Sequence, residues 1–394
     1  MAIMNDVKAK NMLNVIKALC NNGPISKPDI ARILGLTTPS VHNFMNELLA
    51  NGVAVEEGVA ESNGGRKATI YNINPDCGYL VGLSIHHTKL RTTVYNIKMQ
   101  QLYHEYRPIS PEYTAKTQHI IRSEIERALE CTGIPKAKCF GIGVSVPGLV
   151  EYDTGVIRNI PYMPNWNGVP LKSYLEDRIG LPTLVENDVN ALALVGKWVQ
   201  GFSESDLAVL SVFRGVGAGI ITNGAVFRGA NDAAGEIGHT TICFDGIPCK
   251  CGNRGCIDAY VRQKEDILIQ MVEEATGQNI EELGHDKISD FLRKSSPEVQ
   301  KLSADMAYFV GIAIDHIIKS YSPRTVVVYC DWLDWDPDLR YRIIEDVNAK
   351  NRWLQKNKMQ IRFYSPGQSF PYAGAVQVLD KIFSDEERIC FLPA

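Results

Sequence analysis

The 394-residue chain has no uninterrupted apolar run long enough to cross a bilayer. Its first residues, MAIMNDVKAKNML, lack the apolar core of a secretion signal, so a cytoplasmic location is expected. It also has no basic excess. The net charge is −4, which gives no whole-chain attraction to nucleic acid, so any DNA binding must reside in a local module. Apolar residues are not scarce: 45% apolar against 22% charged residues describe a globular protein, and this length implies two or three domains. The ten cysteines argue for no disulfide framework, because a cytosolic chain keeps its thiols reduced. Three of them, Cys249, Cys251 and Cys256, fall within eight residues, where metal ligation is the better reading, and the scattered remainder read as packed thiols.

What is present begins with a helical head. Met12, Val15, Ile16 and Leu19 recur at helical spacing within residues 8–21. Asn22-Gly23-Pro24 breaks that helix, a short one follows from Lys27 to Leu34, and Gly35 ends it as a left-handed cap. Thr37 or Thr38 can cap the next helix, with Pro39 in its first turn. That helix buries Val41, Phe44, Met45, Leu48 and Leu49 and presents Thr38, Ser40, His42, Asn43 and Asn46, short polar groups able to reach base edges. Two strands, Val53–Glu57 and Ala68–Asn74, flank a polar tip at residues 61–67. The whole reads as a winged helix-turn-helix, with Arg66 and Lys67 on the wing for phosphates or a minor groove. Residues 1–75 hold seven Lys/Arg against six Asp/Glu, so one copy gains little from counterion release and a dimer on two half-sites is expected.

From Gly78 onward short apolar strands alternate with helices. Gly78–Ile85 and Arg91–Ile97 predict a hairpin, and Cys139–Val146 and Pro182–Val185 predict further strands. Helices are predicted near Gln118–Cys131, Leu171–Ile179 and Asp188–Gly201. The pattern restarts with strands at Ala208–Phe213, Gly217–Thr222 and Thr325–Tyr329 and a helix at Pro337–Lys350, which gives an α/β domain in two halves with a cleft expected between them. The charged stretch Gly277–Gln300 reads as solvated helices.

Four motifs follow in order: Gly141-Ile142-Gly143-Val144-Ser145-Val146-Pro147-Gly148, Glu186-Asn187-Asp188-Val189-Asn190-Ala191, Gly235-Glu236-Ile237-Gly238-His239, and Cys249-Lys250-Cys251-Gly252-Asn253-Arg254-Gly255-Cys256. The ordered set closely resembles the ROK family of sugar-responsive repressors and sugar kinases, and the resemblance extends over nearly the whole chain. It implies an actin-like (ribonuclease H-like), two-lobed sugar-kinase-type domain behind the winged helix. The organisation implied is a DNA-binding domain at 1–75, a first lobe at 76–187 plus about 371–394, and a second lobe at 188–370 carrying the metal loop. A homodimer or dimer of dimers is implied as well.

His239 with Cys249, Cys251 and Cys256 makes a Cys₃His set that suits tetrahedral, structural Zn²⁺ with no open coordination position. The resemblance places Asn187, Asp188, Glu236 and His239 in a sugar pocket, with the backbone around Gly148 closing one side. Asp188 stands at the position of the family kinases' general base, although no catalytic residue is assigned to this chain. His239 is expected to bind metal through one ring nitrogen and the sugar through the other. Asp258 stands where the family usually has Glu, one methylene shorter. Asn165 and Trp166 are candidates for pocket lining, with a packed loop anchor as the plainer reading of Trp166. Asn187-Asp188 could equally cap the helix that begins there, and Glu236 could be an ordinary surface carboxylate.

The family kinases hold nucleotide phosphates on Gly-rich turns. Here the first such loop reads Ser84-Ile85-His86-His87-Thr88, the second Phe213-Arg214-Gly215-Val216-Gly217, and the adenosine-side glycine pair Tyr329-Cys330-Asp331. Side chains replace the residues that let backbone approach phosphate, so kinase activity is not expected. The leading reading is a repressor of sugar-metabolism genes controlled by a sugar in a degenerate kinase cleft. A sugar kinase with a regulatory DNA-binding head is the alternative, and a repressor governed by a partner protein is a third.

Overall fold

The computed structural model describes residues 2–60, 67–161, 163–202, 205–213, 215–280, 283, 285–293, 296–336, 338–351 and 359–384. The chain forms two compact units. One comprises residues 1–146, 152–186 and 372–394, and the other residues 147–151 and 187–371.

The first unit opens with the head. Helix α1 (Ala2–Asn22) buries Met12, Val15, Ile16 and Leu19 at the helical period. Strand β1 (Ile25–Ser26) leads into α2 (Lys27–Leu34), capped by the Ser26 hydroxyl accepting from the Asp29 amide and closed by Gly35 at φ 63°. Helix α3 (Thr38–Ala50) is capped by Thr37, which accepts from the Ser40 amide, and buries Val41, Phe44, Met45 and Leu48. Strands β2 (Ala54–Val59) and β3 (Thr69–Ile73) complete a three-stranded sheet of order β1-β3-β2. This is the expected winged helix-turn-helix, and the wing residues 61–66, Arg66 among them, lie outside the described residues.

The head joins the first large sheet through a polar tie. Asn72, only 5% exposed, donates to Glu57 Oε2 (2.6 Å), while its Oδ1 accepts from the Ile73 amide (2.9 Å) and from Lys98 Nζ (3.3 Å). Lys98 lies in the turn between β5 (Lys89–Asn96) and β6 (Gln101–Pro108), so a side chain of the large module ends on a buried residue of the head. Lys138 Nζ adds a second tie, donating to the Asp76 carbonyl at 3.2 Å.

The sheet itself contains β4 (Tyr79–Ile85), β5, β6, β7 (Cys139–Val146) and β11 (Thr183–Asn187) in the order β11-β7-β4-β5-β6. β4 is antiparallel to β5 and parallel to β7. Between them in sequence come α4 (Ala115–Thr132), short strands β8 (Leu149–Glu151), β9 (Val156–Asn159) and β10 (Val169–Pro170), and α5 (Leu171–Ile179). Trp166 is fully buried, with its indole N–H on the Pro111 carbonyl at 2.9 Å, so it anchors a loop as the plainer reading had it.

The second unit repeats this plan. After α6 (Asp188–Trp198) come β12 (Leu207–Val212), β13 (Val216–Thr222) and β14 (Ala225–Val226), then α7 (Ile257–Thr276), α8 (His285–Arg293) and α9 (Pro297–Tyr321). β15 (Thr325–Cys330), α10 (Trp332–Trp335), α11 (Leu339–Lys350), β16 (Gln360–Tyr364) and α12 (Pro366–Ser369) follow. Strand order β14-β13-β12-β15-β16 mirrors the first sheet, and α13 (Ala375–Ser384) returns to the first unit.

Three segments stand out against expectation. The 25-residue helix α9, unpredicted, buries Met306, Val310, Ile314 and Ile317 in the second core. The charged stretch before it is not wholly solvated, because Leu283, Ile288, Leu292 and Val299 enter that core at scattered points among the charges. Strand β6 was also unpredicted, since an exposed edge strand reading QLYHEYRP has no apolar run to announce it.

Candidate functional site

The motif residues that matter most lie in the second unit. Asn187 begins α6 as its cap: Oδ1 accepts from the amides of Val189 (2.9 Å) and Asn190 (3.1 Å), and Nδ2 donates to the Gly148 carbonyl at 3.1 Å. The capping reading therefore describes its side-chain oxygen, while the residue also lines a small pocket with Leu149, Asn190, Asp232, Gly235 and Glu236. Gly235 is obligatory at its place, with φ 93° and only 1.9 Å between a hypothetical Cβ and the Ala218 carbonyl oxygen.

Asp188, the first residue of α6, is pushed up to about 7, chiefly by burial and further by the neighbouring Glu236 carboxylate. Glu236 is itself raised by desolvation, with His239 opposing and Asp258 adding to the rise. These groups therefore form one electrostatic cluster around the pocket. No Lys or Arg lines it among the described residues.

Asp258 is placed differently. It is 5% exposed, with Oδ1 accepting from the Val216 amide (3.0 Å) and Oδ2 from Arg262 Nε (2.8 Å), and, like Gly148, Asp188 and His239, it is not among the pocket-lining residues. Arg262, one turn further along α7, went unnoticed in the sequence. An i,i+4 pair just after the metal loop is the signal that marks it.

His239 ends the short turn Ile237–His239 and faces two ways. Its Nδ1 lies 3.5 Å from Cys249 Sγ, and its Nε2 lies 3.8 Å from Glu236 Oε2. Cys251 Sγ and Cys256 Sγ are 3.8 Å apart, and all four donor atoms fall within 4.8 Å of one another. A tetrahedral ion with metal–sulfur bonds of about 2.3 Å and a metal–nitrogen bond of about 2.1 Å sets S···S near 3.8 Å and S···N near 3.6 Å. The observed spacings meet that geometry, so the four residues can hold a metal ion. Burial raises the Cys249 thiol and carries that of Cys256 to about 12, so keeping these sulfurs as packed thiolates needs a cation. The loop closes this tightly because Gly255, at φ 72°, lets the chain pass the Cys243 carbonyl where any side chain would collide.

The segments compared above with kinase phosphate loops are filled by the protein's own groups. The Val216 amide of the second loop is taken by Asp258, and the Phe213 ring packs on Phe370 at 5.8 Å between centroids. Ser84, Tyr329 and Cys330 are buried, and Arg214 lies outside the described residues.

In the head, Thr38, His42, Asn43, Asn46 and Lys67 are exposed and Ser40 is half-buried, its hydroxyl 2.8 Å from that of Thr37. His42 Nε2 lies 3.0 Å from Asn46 Nδ2, and Lys27 Nζ approaches His42 Nδ1 (3.4 Å) and Asn46 Oδ1 (3.5 Å). Lys27 thus adds a cation to this face that reading α3 alone did not supply.

Compared with known proteins, residues 80–381 match the ROK family and residues 9–54 match a winged helix-turn-helix DNA-binding domain. The chain belongs to the ROK family. It is 30% identical to the xylose repressor of Caldicellulosiruptor bescii over 82% of this chain and 83% of that one. It is 31% identical to the N-acetylglucosamine repressor of Shigella flexneri over 64% of this chain and 62% of that one. Among solved structures, a ROK family transcriptional regulator described as a homologue of the Escherichia coli MLC protein matches with a TM-score of 0.78 at 21% identity, over 98% of both chains. The ROK hexokinase of Thermus thermophilus matches at 0.61 with 26% identity, over 76% of this chain and 97% of that one. The hexokinase confirms the expected fold only in its sugar-kinase-type domain, whereas the regulator spans the head as well.

Asp188 generates a pH prediction. The native state retains a proton that the unfolded chain releases near pH 4, so the stability linked to this group falls as pH rises from about 4 to about 7. Asp188→Asn should be near neutral in stability at pH 4 and stabilising by about 1–3 kcal/mol above pH 7, read from urea midpoints. Equal destabilisation at both pH values would contradict this account of the pocket's electrostatics.

Proposed function

We propose that this chain is a cytoplasmic DNA-binding transcriptional repressor of sugar-metabolism genes whose operator affinity is set by a small sugar. The observation that carries the reading is the pairing, in one chain, of a polar recognition-helix face with a pocket lined by Asn187, Asn190, Asp232 and Glu236. Carboxylates and amides at such a site accept from and donate to sugar hydroxyls. The relatives named as xylose and N-acetylglucosamine repressors support the same reading.

In this proposal residues 1–75 read DNA through Thr38, Ser40, His42, Asn43, Arg66 and Lys67, in a homodimer or dimer of dimers that presents two heads to two half-sites. Residues 76–187 with about 371–394, and residues 188–370, are the two lobes. Sugar is held by Asn187, Asp188 and Glu236, with Gly148 and His239 beside them. Asp258 acts indirectly, by fixing the Val216 amide and Arg262. Leu149 and Asn187, which line the pocket, lie near points where the chain passes from one unit to the other.

Phosphoryl transfer is not part of the proposal. The second-loop amide that a nucleotide phosphate would need already binds Asp258, and bulky side chains fill the neighbouring positions. A thermal-shift screen with D-xylose, D-glucose, N-acetyl-D-glucosamine and ATP tests both halves of the reading. One sugar should raise the melting temperature by a few degrees at saturating concentration, with ATP inert. Stabilisation by ATP would replace this reading with the sugar kinase carrying a regulatory head.

The Cys₃His set is assigned to structural Zn²⁺, held by His239, Cys249, Cys251 and Cys256 with no position left for substrate. When bound, zinc orients His239 and through it Glu236. Purified protein should contain one zinc per chain, and chelation should lower the melting temperature and weaken sugar binding together. A zinc-free, folded sample that binds sugar with unchanged affinity would refute the link between the metal loop and the pocket.

A further inference from the structure

Asp232 belongs to none of the motifs that identify the pocket, yet it lines it. Its backbone has φ 54°, a left-handed conformation that costs an ordinary L-residue about 1–2 kcal/mol and that Gly, Asn or Asp adopts most readily. Among the described residues no hydrogen bond or ion pair engages its half-buried carboxylate, although every other carboxylate on the motif segments has a charged or hydrogen-bonding neighbour. The loop that carries it is fixed, since the Ala234 amide donates to the Arg228 carbonyl (3.0 Å) and Gly235 is locked against Ala218. A half-buried carboxylate on a fixed loop and without a partner is poised to accept hydrogen bonds from something else.

The rest of the lining says what that is. The pocket's ionisable lining residues are Asp232 and Glu236, with no Lys or Arg lining it among the described residues to balance them. Two carboxylates accept from hydroxyl pairs and repel a phosphate dianion.

We propose that Asp232 is the specificity determinant of this pocket: its carboxylate accepts from a hydroxyl pair and, with Glu236, restricts the ligand to an uncharged monosaccharide, excluding its phosphate ester. The assignment rests on the pocket reading above and adds to it the class of sugar admitted and the residue that selects it. Asp232→Asn keeps a side chain that tolerates the left-handed backbone while removing the charge and one acceptor. Asp232→Gly restores the residue that best suits the backbone and removes the side chain altogether.

The test is calorimetric titration of the full-length protein and both variants with D-xylose, D-glucose, N-acetyl-D-glucosamine, glucose 6-phosphate and N-acetylglucosamine 6-phosphate. The wild type should bind at least one uncharged sugar and bind neither phosphate ester within about tenfold of that affinity. Both variants should fold with melting temperatures close to that of the wild type and bind that sugar about 10–100-fold more weakly, the loss expected for a charged hydrogen-bond acceptor. The gap between neutral and phosphorylated sugars should narrow in Asp232→Asn. Unchanged sugar affinity in both folded variants, or a wild type that prefers a phosphate ester, overturns the assignment while leaving the pocket reading intact. A wild type that binds none of the five sugars overturns the pocket reading and the assignment with it.

Discussion

The imidazole of His239 stands between three thiols and a carboxylate, and the local structure of the second unit follows from satisfying both sides. Its Nδ1 faces Cys249 at 3.5 Å and its Nε2 faces Glu236 at 3.8 Å. Sulfurs as close as those of Cys251 and Cys256 would repel if ionised, and a cation among them would remove that repulsion. With a cation there, the ring is fixed, Glu236 has a fixed neighbour, and the segment from Gly235 to His239 can lie flush on β13. The motif glycines are there because Gly235 and Gly255 each pass a backbone carbonyl closer than a Cβ allows.

The same economy governs Asp258. Asp258 gives one oxygen to the Val216 amide and the other to Arg262, so both of its oxygens are committed to internal structural contacts. A buried carboxylate with both oxygens engaged is stable without any ligand, whereas an open amide cradle would need one. The pocket beside it contrasts with this: Asp188 is held near pH 7 by burial, and Asp232 has no partner of its own among the described residues. Groups left in that condition are the ones a ligand can repay.

Much of this was legible before any coordinates. The head is written in α3, whose Val41, Phe44, Met45 and Leu48 stripe leaves one polar face and admits no other helical orientation. The three-cysteine cluster and His239 were legible because ligands to one ion must be close in space, and short loops achieve that through spacing alone. Asp258 was not legible in the same way, since its family position says nothing about whether its oxygens face a ligand or an amide. Asp232 was missed because a single carboxylate in a Gly/Ala-rich loop has no periodicity or partner in sequence. Helix α9 was missed because its apolar residues are spread over too broad a face to stand out as one stripe. The tie through Asn72 and Lys98 escaped notice for the simplest reason, that it joins residues 26 positions apart across two modules.

The central claim of the proposal is that sugar in the pocket sets operator affinity at the head, so the two binding energies must be coupled. The direct measurement is the affinity for a sequence selected from random DNA, taken with and without saturating sugar, beside the sugar affinity taken with and without that DNA. Thermodynamic linkage requires one coupling factor in both directions, expected at about 5–150-fold. Two affinities that do not respond to one another, measured on the zinc-loaded full chain, would separate the pocket from the head and contradict the account.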